Sequence, residues 1–302
     1  MLDPCSFLFI TLDSCRYDTF RDARAPNLNS IGPLHAAVAP GYFTYSSHQA
    51  MFVGFTPGVF ARPEPYVNPR HGKFFRMVGP VPWRPDDFMV LEGANIIHGL
   101  KRLGYLTLGT GAVSWFDPRT ETGRVLTRDF HRFFYPGNTY SLPQQVDWTL
   151  RQLRAADGRR VFLFLNVGET HIPYYHQGAP WKLEDNPCVG MEPARNDAAR
   201  CRRQQTACLE FADAQLKEIL EAFRSASILV CADHGDAWGE DGLWAHGFHH
   251  PKVLEVPLLF RLGQSPAPPH AVPRPFWRRV RSRLQRMLRG GTGEAQPPAT
   301  EP

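Results

Sequence analysis

Nowhere in the sequence do eighteen apolar residues run together, which argues against a membrane-spanning helix. The N-terminus also lacks the parts of a secretory signal. Met1-Leu2-Asp3-Pro4-Cys5 leads straight into Ser6-Phe7-Leu8-Phe9-Ile10-Thr11, with no basic n-region and no small-residue cleavage site. A cytoplasmic chain is expected. Cysteine is scarce and unpatterned: the six at 5, 15, 188, 201, 208 and 231 form no C-x-x-C pair. That excludes the usual cysteine zinc spacings and gives no disulfide framework. Acidic residues do not predominate either, yet the net charge of +5 is local, because seven arginines fall between 274 and 289. Away from that stretch the chain is close to neutral, so the basicity says nothing about a catalytic body.

What the sequence does contain is a set of short β-branched or aromatic runs, each of strand length: 6–11, 105–110, 161–167, 227–231 and 256–262. Between them lie helical patterns at 95–103, 143–156 and about 193–226, the last with Leu209, Leu216, Ile219, Leu220 and Phe223 at helical spacing. Apolar strands alternating with amphipathic helices predict an α/β fold: a three-layer α/β/α sandwich around a mostly parallel sheet. We assign it to residues 1–265, with 266–302 as a Pro-rich linker and basic tail. In the tail, Trp277, Val280, Leu284 and Leu288 share one helical face ringed by arginines. The pattern suits an anionic membrane surface or an acidic partner, with a simple solvated tail as the alternative. No nucleic-acid-binding module is present, so specific nucleic-acid binding is not expected.

In open parallel sheets ligands gather at the carboxyl ends of the strands. Three such ends are polar: Asp13-Ser14-Cys15-Arg16, Gly168-Glu169-Thr170-His171-Ile172-Pro173, and Asp233-His234-Gly235-Asp236. One acidic residue after a strand ordinarily caps a helix. Convergent Asp, Glu and His at several ends instead require protonation or a cation, because buried like charges are unstable. A divalent metal is the economical solution. Arg16 and Asp18 either face a bound anion or form a surface ion pair, and Glu169 is a candidate for orienting His171.

The block from Asp233-His234-Gly235-Asp236 to His246-Gly247, with His246 twelve residues after His234, resembles the D-H-G-E-x-x-G-E-x-G-x-x-x-H-G block of sulfatases, phosphoethanolamine transferases and lipoteichoic-acid-type synthases. Further stretches resemble that superfamily, the alkaline phosphatase/sulfatase superfamily, in collinear order. These are Ile10-Thr11-Leu12-Asp13, Ala25-Pro26-Asn27-Leu28, Leu100-Lys101-Arg102-Leu103-Gly104-Tyr105, Phe211-Ala212-Asp213, and Leu254-Glu255-Val256-Pro257-Leu258. The resemblance implies that Asp13, Asp233 and His234 bind a metal. It also implies that His246 binds a second metal or the substrate, and that His171, within an H-x-P-Y-like loop, contacts the transferred group. Gly235 would let the chain turn beneath the metal.

The nucleophile segment departs from the sulfatase pattern. Thr44-Tyr45-Ser46-Ser47-His48 places Thr44 where sulfatases carry the formylglycine cysteine and His48 where they carry Arg, and Ala112 replaces their Lys. Thr is what the phosphoethanolamine transferases and nucleotide pyrophosphatases use there. The resemblance therefore implies a phosphate-ester hydrolase with Thr44 as both nucleophile and metal ligand; Ser46 or Ser47 would serve in a slipped register. Mn²⁺, Mg²⁺ or Ca²⁺ suits one His with hard oxygens, and recruiting His171 and His246 favours Zn²⁺. The alternatives are a sulfate-ester hydrolase, a phospho-group transferase using a soluble acceptor, and a noncatalytic metal-stabilised scaffold. Insertions 57–87 and 115–140 are expected to build the pocket for a small-molecule ester.

Overall fold

The computed structural model describes residues 2–54, 95–156, 158–190 and 192–263. The expected pocket insertion at 57–87 and the basic tail lie outside them. The chain's contacts divide it into Met1–Gln264 and Ser265–Pro302, and the fold described is that of the first unit. Among the described residues, no helix is long and apolar enough to cross a membrane, and the six cysteines are free thiols.

The strands are β1 (Phe7–Leu12), β2 (His35–Val38), β3 (Leu106–Gly111), β4 (Arg132–Phe134), β5 (Val161–Val167), β6 (Ser227–Ala232), β7 (Ala237–Trp238), β8 (Trp244–Ala245) and β9 (Glu255–Arg261). Seven of them form one sheet in the order β2-β9-β6-β1-β5-β3-β4, while β7 and β8 make a separate hairpin. Within the large sheet β9 runs antiparallel to both of its neighbours, and the other pairings are parallel. The sheet is thus mixed and mostly parallel, as the apolar runs predict.

The helices are α1 (Tyr17–Asp22), α2 (Pro26–Asn29), α3 (Thr44–Val53), α4 (Ile96–Arg102), α5 (Glu121–Thr127), α6 (Leu142–Arg154), α7 (Ala198–Ala222) and α8 (Pro251–Leu254). The long α7 starts at Ala198 rather than Pro193 because Asp197 caps it, its side chain accepting from the Arg200 N–H. Asp213 on α7 accepts from the backbone N–H of Leu28 at 2.7 Å and from Asn27 Nδ2 at 2.7 Å. The Pro26-Asn27-Leu28 and Asp213 motifs are therefore two halves of one structural clamp that fixes α2 on α7.

Strand alternation sorts the core into two faces. On one, Phe9 and Phe164 meet at 5.6 Å, and α3 lies over them through His48 and Phe52, each in ring contact with Phe164. On the other, α6 packs on β3 and against α7, which also meets α1 and α2. The register makes the three central strands end level: Leu12 pairs with Val167 on one side and Ala232 on the other. The next residue on β1 is Asp13 and on β6 is Asp233, so the sheet itself delivers two carboxylates to one spot.

Candidate active site

Asp13 and Asp233 are both inaccessible to solvent, and His234 is buried beside them. Asp233 Oδ1 accepts from the backbone N–H groups of Ser14 (3.1 Å) and His234 (3.0 Å). Its other oxygen, Oδ2, has no partner, and neither does His234 Nε2. The His234 ring is turned by its Nδ1, which lies 3.0 Å from the Gly235 carbonyl and so carries the proton. Nε2 therefore presents a lone pair 3.6 Å from Asp233 Oδ2 and 3.9 Å from Asp13 Oδ1. Acceptors facing acceptors in a dry interior are repulsive, and a divalent cation among them removes the conflict. Burial above all, and then the Asp13 charge, push the Asp233 carboxyl well above the carboxylate range. Burial, followed by the neighbouring His246 and His171, presses His234 well below the ordinary histidine value. The ligand atoms of Asp13, Asp233 and His234 lie within 4.8 Å of one another, so the donor set fits a metal ion.

Thr44 stands at the first position of α3, with its hydroxyl 3.4 and 3.5 Å from the two Asp13 oxygens. The N-terminus of a helix favours negative charge there. Ser46 and Ser47 are committed elsewhere: Ser46 Oγ donates to the Phe43 carbonyl at 2.8 Å and Ser47 Oγ to the Asp233 carbonyl at 2.7 Å. Gly41 lets the chain pass this close, since a Cβ there would sit 2.3 Å from Ser47 Oγ and 2.4 Å from Ser46 Oγ. His48 does not stand in for a sulfatase Arg. Its Nδ1 meets the Thr44 carbonyl at 2.7 Å and its Nε2 the Thr11 hydroxyl at 2.9 Å, and burial lowers it to about 4, so it is neutral. The network continues from Thr11 through Asn166, whose Nδ2 donates to Asp13 Oδ2 at 3.1 Å. Asn166 was not expected as a site residue. It lies inside the apolar run 161–167, where one amide carries no sequence signal.

His171 and His246 come together, with ring centroids 5.2 Å apart, and His246 lies 4.3 Å from the His234 ring. His246 Nδ1 is 2.7 Å from Asp236 Oδ1. Burial alone would lower the His246 pKa, but the Asp236 carboxylate outweighs it and holds the value above normal. Asp236 joins His234 and His246 in a second group able to hold a cation. Beside Thr44, Phe43 and Tyr45 pack on Trp115, the first residue of the 115–140 segment, at 5.8 and 5.6 Å.

Three expectations need correction. Arg16 is neither anion-facing nor a surface ion pair. It is fully buried, doubly hydrogen-bonded to Asp18 and bonded to Glu240. Burial alone would raise Asp18, but Arg16 and Lys252 hold it far below the usual range. Gly235 is needed for space rather than for a turn, because a Cβ would lie 2.4 Å from the Lys252 carbonyl oxygen. Glu169 does not orient His171, whose Nδ1 meets the Ile172 carbonyl at 2.7 Å; it accepts from the Leu142 N–H at 2.8 Å, at the start of α6.

Burial pushes the Glu169 carboxyl up to about 8, against the lowering effect of the Leu142 N–H. A carboxyl raised in the folded state contributes stability that is complete below its unfolded value and is lost as pH climbs toward 8. Glu169→Gln keeps the acceptor for Leu142 and cannot ionise. Its stability should match wild type near pH ~4 and exceed it by about 1–3 kcal/mol at pH ~8. Chemical denaturation across that range checks the divergence, and parallel curves would refute the buried neutral acid.

No family model and no curated protein matches the sequence. Solved structures do match its fold. The C-terminal periplasmic domain of phosphoethanolamine transferase EptC from Campylobacter jejuni superposes with TM-score 0.56 at 14% identity, covering 86% of this chain and 80% of that one. The corresponding EptC domain from Escherichia coli, in complex with Zn, gives 0.55 at 12% identity over 87% and 74%. A protein of the alkaline phosphatase superfamily from Vibrio parahaemolyticus gives 0.52 at 16% identity over 86% and 60%. The chain has the alkaline phosphatase-superfamily fold. Within it, phosphoethanolamine transferase domains are among its structural relatives, at low identity.

Proposed function

We propose that the protein is a metal-dependent enzyme that cleaves a phosphate-type ester, mono- or diester, with Thr44 as nucleophile. The observation that carries this reading is the Thr44 hydroxyl, set at a helix N-terminus against Asp13, next to two buried ligand atoms that have no partner. Asp13, Asp233, His234 and the Thr44 hydroxyl would hold a divalent ion, which supplies charge neutralisation and makes the hydroxyl more acidic. The N-terminus of α3 faces the substrate's anionic oxygens. Thr44 Oγ forms a bond to phosphorus as the ester's P–O bond breaks; the hydroxyl proton passes through solvent to the departing oxygen, which leaves as the alcohol, while His171 and His246 stabilise the transferred group. Water or an acceptor alcohol then releases the phospho-threonine. His171 and His246, with the Zn complex of a structural relative, favour Zn²⁺.

Thr44 and Ala112 stand where a sulfatase needs its formylglycine precursor and its lysine, which supports phosphate over sulfate. Nitrophenyl phosphate, phosphodiester and sulfate esters, assayed in parallel with Zn²⁺, Mn²⁺, Mg²⁺ and Ca²⁺, test the reading. Phosphate-ester turnover should exceed sulfate-ester turnover by at least ~100-fold, about 2.7 kcal/mol in the barrier. Dominant sulfatase activity would reverse the ranking. Adding an alcohol acceptor and analysing products separates transfer from hydrolysis.

A further inference from the structure

We propose that Asp236 fixes the tautomer of His246 and that Trp238 and Tyr174 in turn fix Asp236, so that the ring presents Nε2 to the reaction centre. The proposal rests on the reading of His246 as a group of the active site. It begins in the β7–β8 hairpin. Ala237 pairs with Ala245, so the flanking residues, 236 and 246, are brought side by side, and Asp236 Oδ1 lies 2.7 Å from His246 Nδ1. The second carboxylate oxygen accepts from the Tyr174 hydroxyl at 2.8 Å, and the Tyr174 oxygen accepts from Trp238 Nε1 at 2.8 Å. Asp236 and Tyr174 are fully buried and Trp238 nearly so. Arg16 braces the same loop, donating to the Asp236 carbonyl at 3.1 Å with its guanidinium 4.1 Å over the Trp238 ring.

The direction of this chain is determined. An indole N–H only donates, so the Tyr174 hydroxyl receives from Trp238 and gives its own hydrogen to Asp236 Oδ2. A carboxylate against Nδ1 likewise keeps a proton on Nδ1 and leaves Nε2 for the site. Asp236 and Tyr174 are positioning residues, acting through His246.

An unusual mutational pattern follows. In Asp236→Asn, the Tyr174 hydroxyl still receives from Trp238 and still needs an acceptor. The new amide turns its oxygen to Tyr174 and its NH₂ to His246 Nδ1. Nδ1 must then accept, and the ring proton moves to Nε2, which spoils the face turned to the reaction. Adding Tyr174→Phe removes that demand, and the amide oxygen can return to Nδ1. The second substitution should therefore rescue the first, whereas two merely structural defects would compound.

The test uses the full-length chain. Long-range ¹H–¹⁵N spectra of the histidine rings, with His246 assigned by comparison with His246→Gln, should report Nδ1–H in wild type. The signal should change to Nε2–H in Asp236→Asn and return to Nδ1–H in Asp236→Asn/Tyr174→Phe. With a nitrophenyl phosphodiester, Asp236→Asn should lower kcat ~100-fold with KM changed by less than ~3-fold, and the double variant should recover at least ~10-fold of that loss. Trp238→Phe, which releases the hydroxyl's direction, is a second rescue variant should Tyr174→Phe fold poorly. An Nε2–H ring in wild type, an unchanged tautomer in Asp236→Asn, or losses that multiply in both double variants would overturn the proposal. The spectra do not depend on turnover. If wild type cleaves no phosphate ester, the proposed function fails while the tautomer assignment is judged separately.

Discussion

Asp233→Asn is expected to abolish divalent-metal binding and to lower turnover by at least ~1000-fold, yet to raise the melting temperature of the metal-free protein. The first two effects follow from removing one of two carboxylates that would share the ion. The third follows from what the carboxylate does when no ion is present. Asp233 is sealed from solvent with Oδ2 unpaired, facing the lone pair of His234 Nε2 and the charge of Asp13. Burial and that charge raise its pKa, so in the metal-free protein its contribution to stability is complete below the unfolded carboxylate value and is lost as pH rises. Asn cannot ionise, and its oxygen can still accept from Ser14 and His234. Calorimetry in chelator should find wild type losing stability between pH ~4 and pH ~8 while Asp233→Asn stays flatter, melting at least ~2 °C higher at the upper end. Metal at ~100 times Kd should then stabilise wild type by about 2.7 kcal/mol and leave the variant unmoved. Full metal occupancy in purified Asp233→Asn would remove Asp233 from the site.

The parts of this molecule legible in the sequence are those written as local pattern. The apolar runs at 6–11, 105–110, 161–167, 227–231 and 256–262 correspond to β1, β3, β5, β6 and β9 within a residue or so at each end. Because the strand ends could be located, so could Asp13 and Asp233. The weak or short elements were not legible. The three or four residues of β4 and β2 are too few to establish a period, and β7 and β8 have two residues each. Missing that hairpin hid the contact between Asp236 and His246, which only its register creates. Helix α3 gave no signal for another reason. Every residue from Thr44 to Ala50 is buried, so there is no exposed face against which an apolar stripe could be read. Its serines and histidine resemble a polar loop until the strands around them are in place. Arg16 misled through composition, since a buried arginine is rare unless paired, and its partner Glu240 and platform Trp238 arrive from more than two hundred residues away.

Thr44→Ala is expected to reduce turnover by at least ~10⁴-fold while metal is retained, a combination that separates a nucleophile from a metal scaffold. The three charged or imidazole ligands remain in this variant, and the lost hydroxyl is the weakest of the donors, so affinity should fall by no more than ~10-fold. Thr44→Ser restores the hydroxyl at the same place on α3 and should recover turnover to within ~10-fold of wild type. Ser46→Ala and Ser47→Ala discriminate the register. Ser46 only ties its hydroxyl to the Phe43 carbonyl, so its loss should cost less than ~5-fold. Ser47 supports the Asp233 carbonyl, so a larger loss there should appear together with weaker metal binding. Acid quenching during turnover, followed by mass spectrometry, should find a phosphoryl adduct on residue 44 and none in Thr44→Ala. An adduct on Ser46 or Ser47, or more than about a tenth of wild-type turnover surviving in Thr44→Ala, would move the nucleophile. The hydroxyl beside Asp13 would then be a ligand alone.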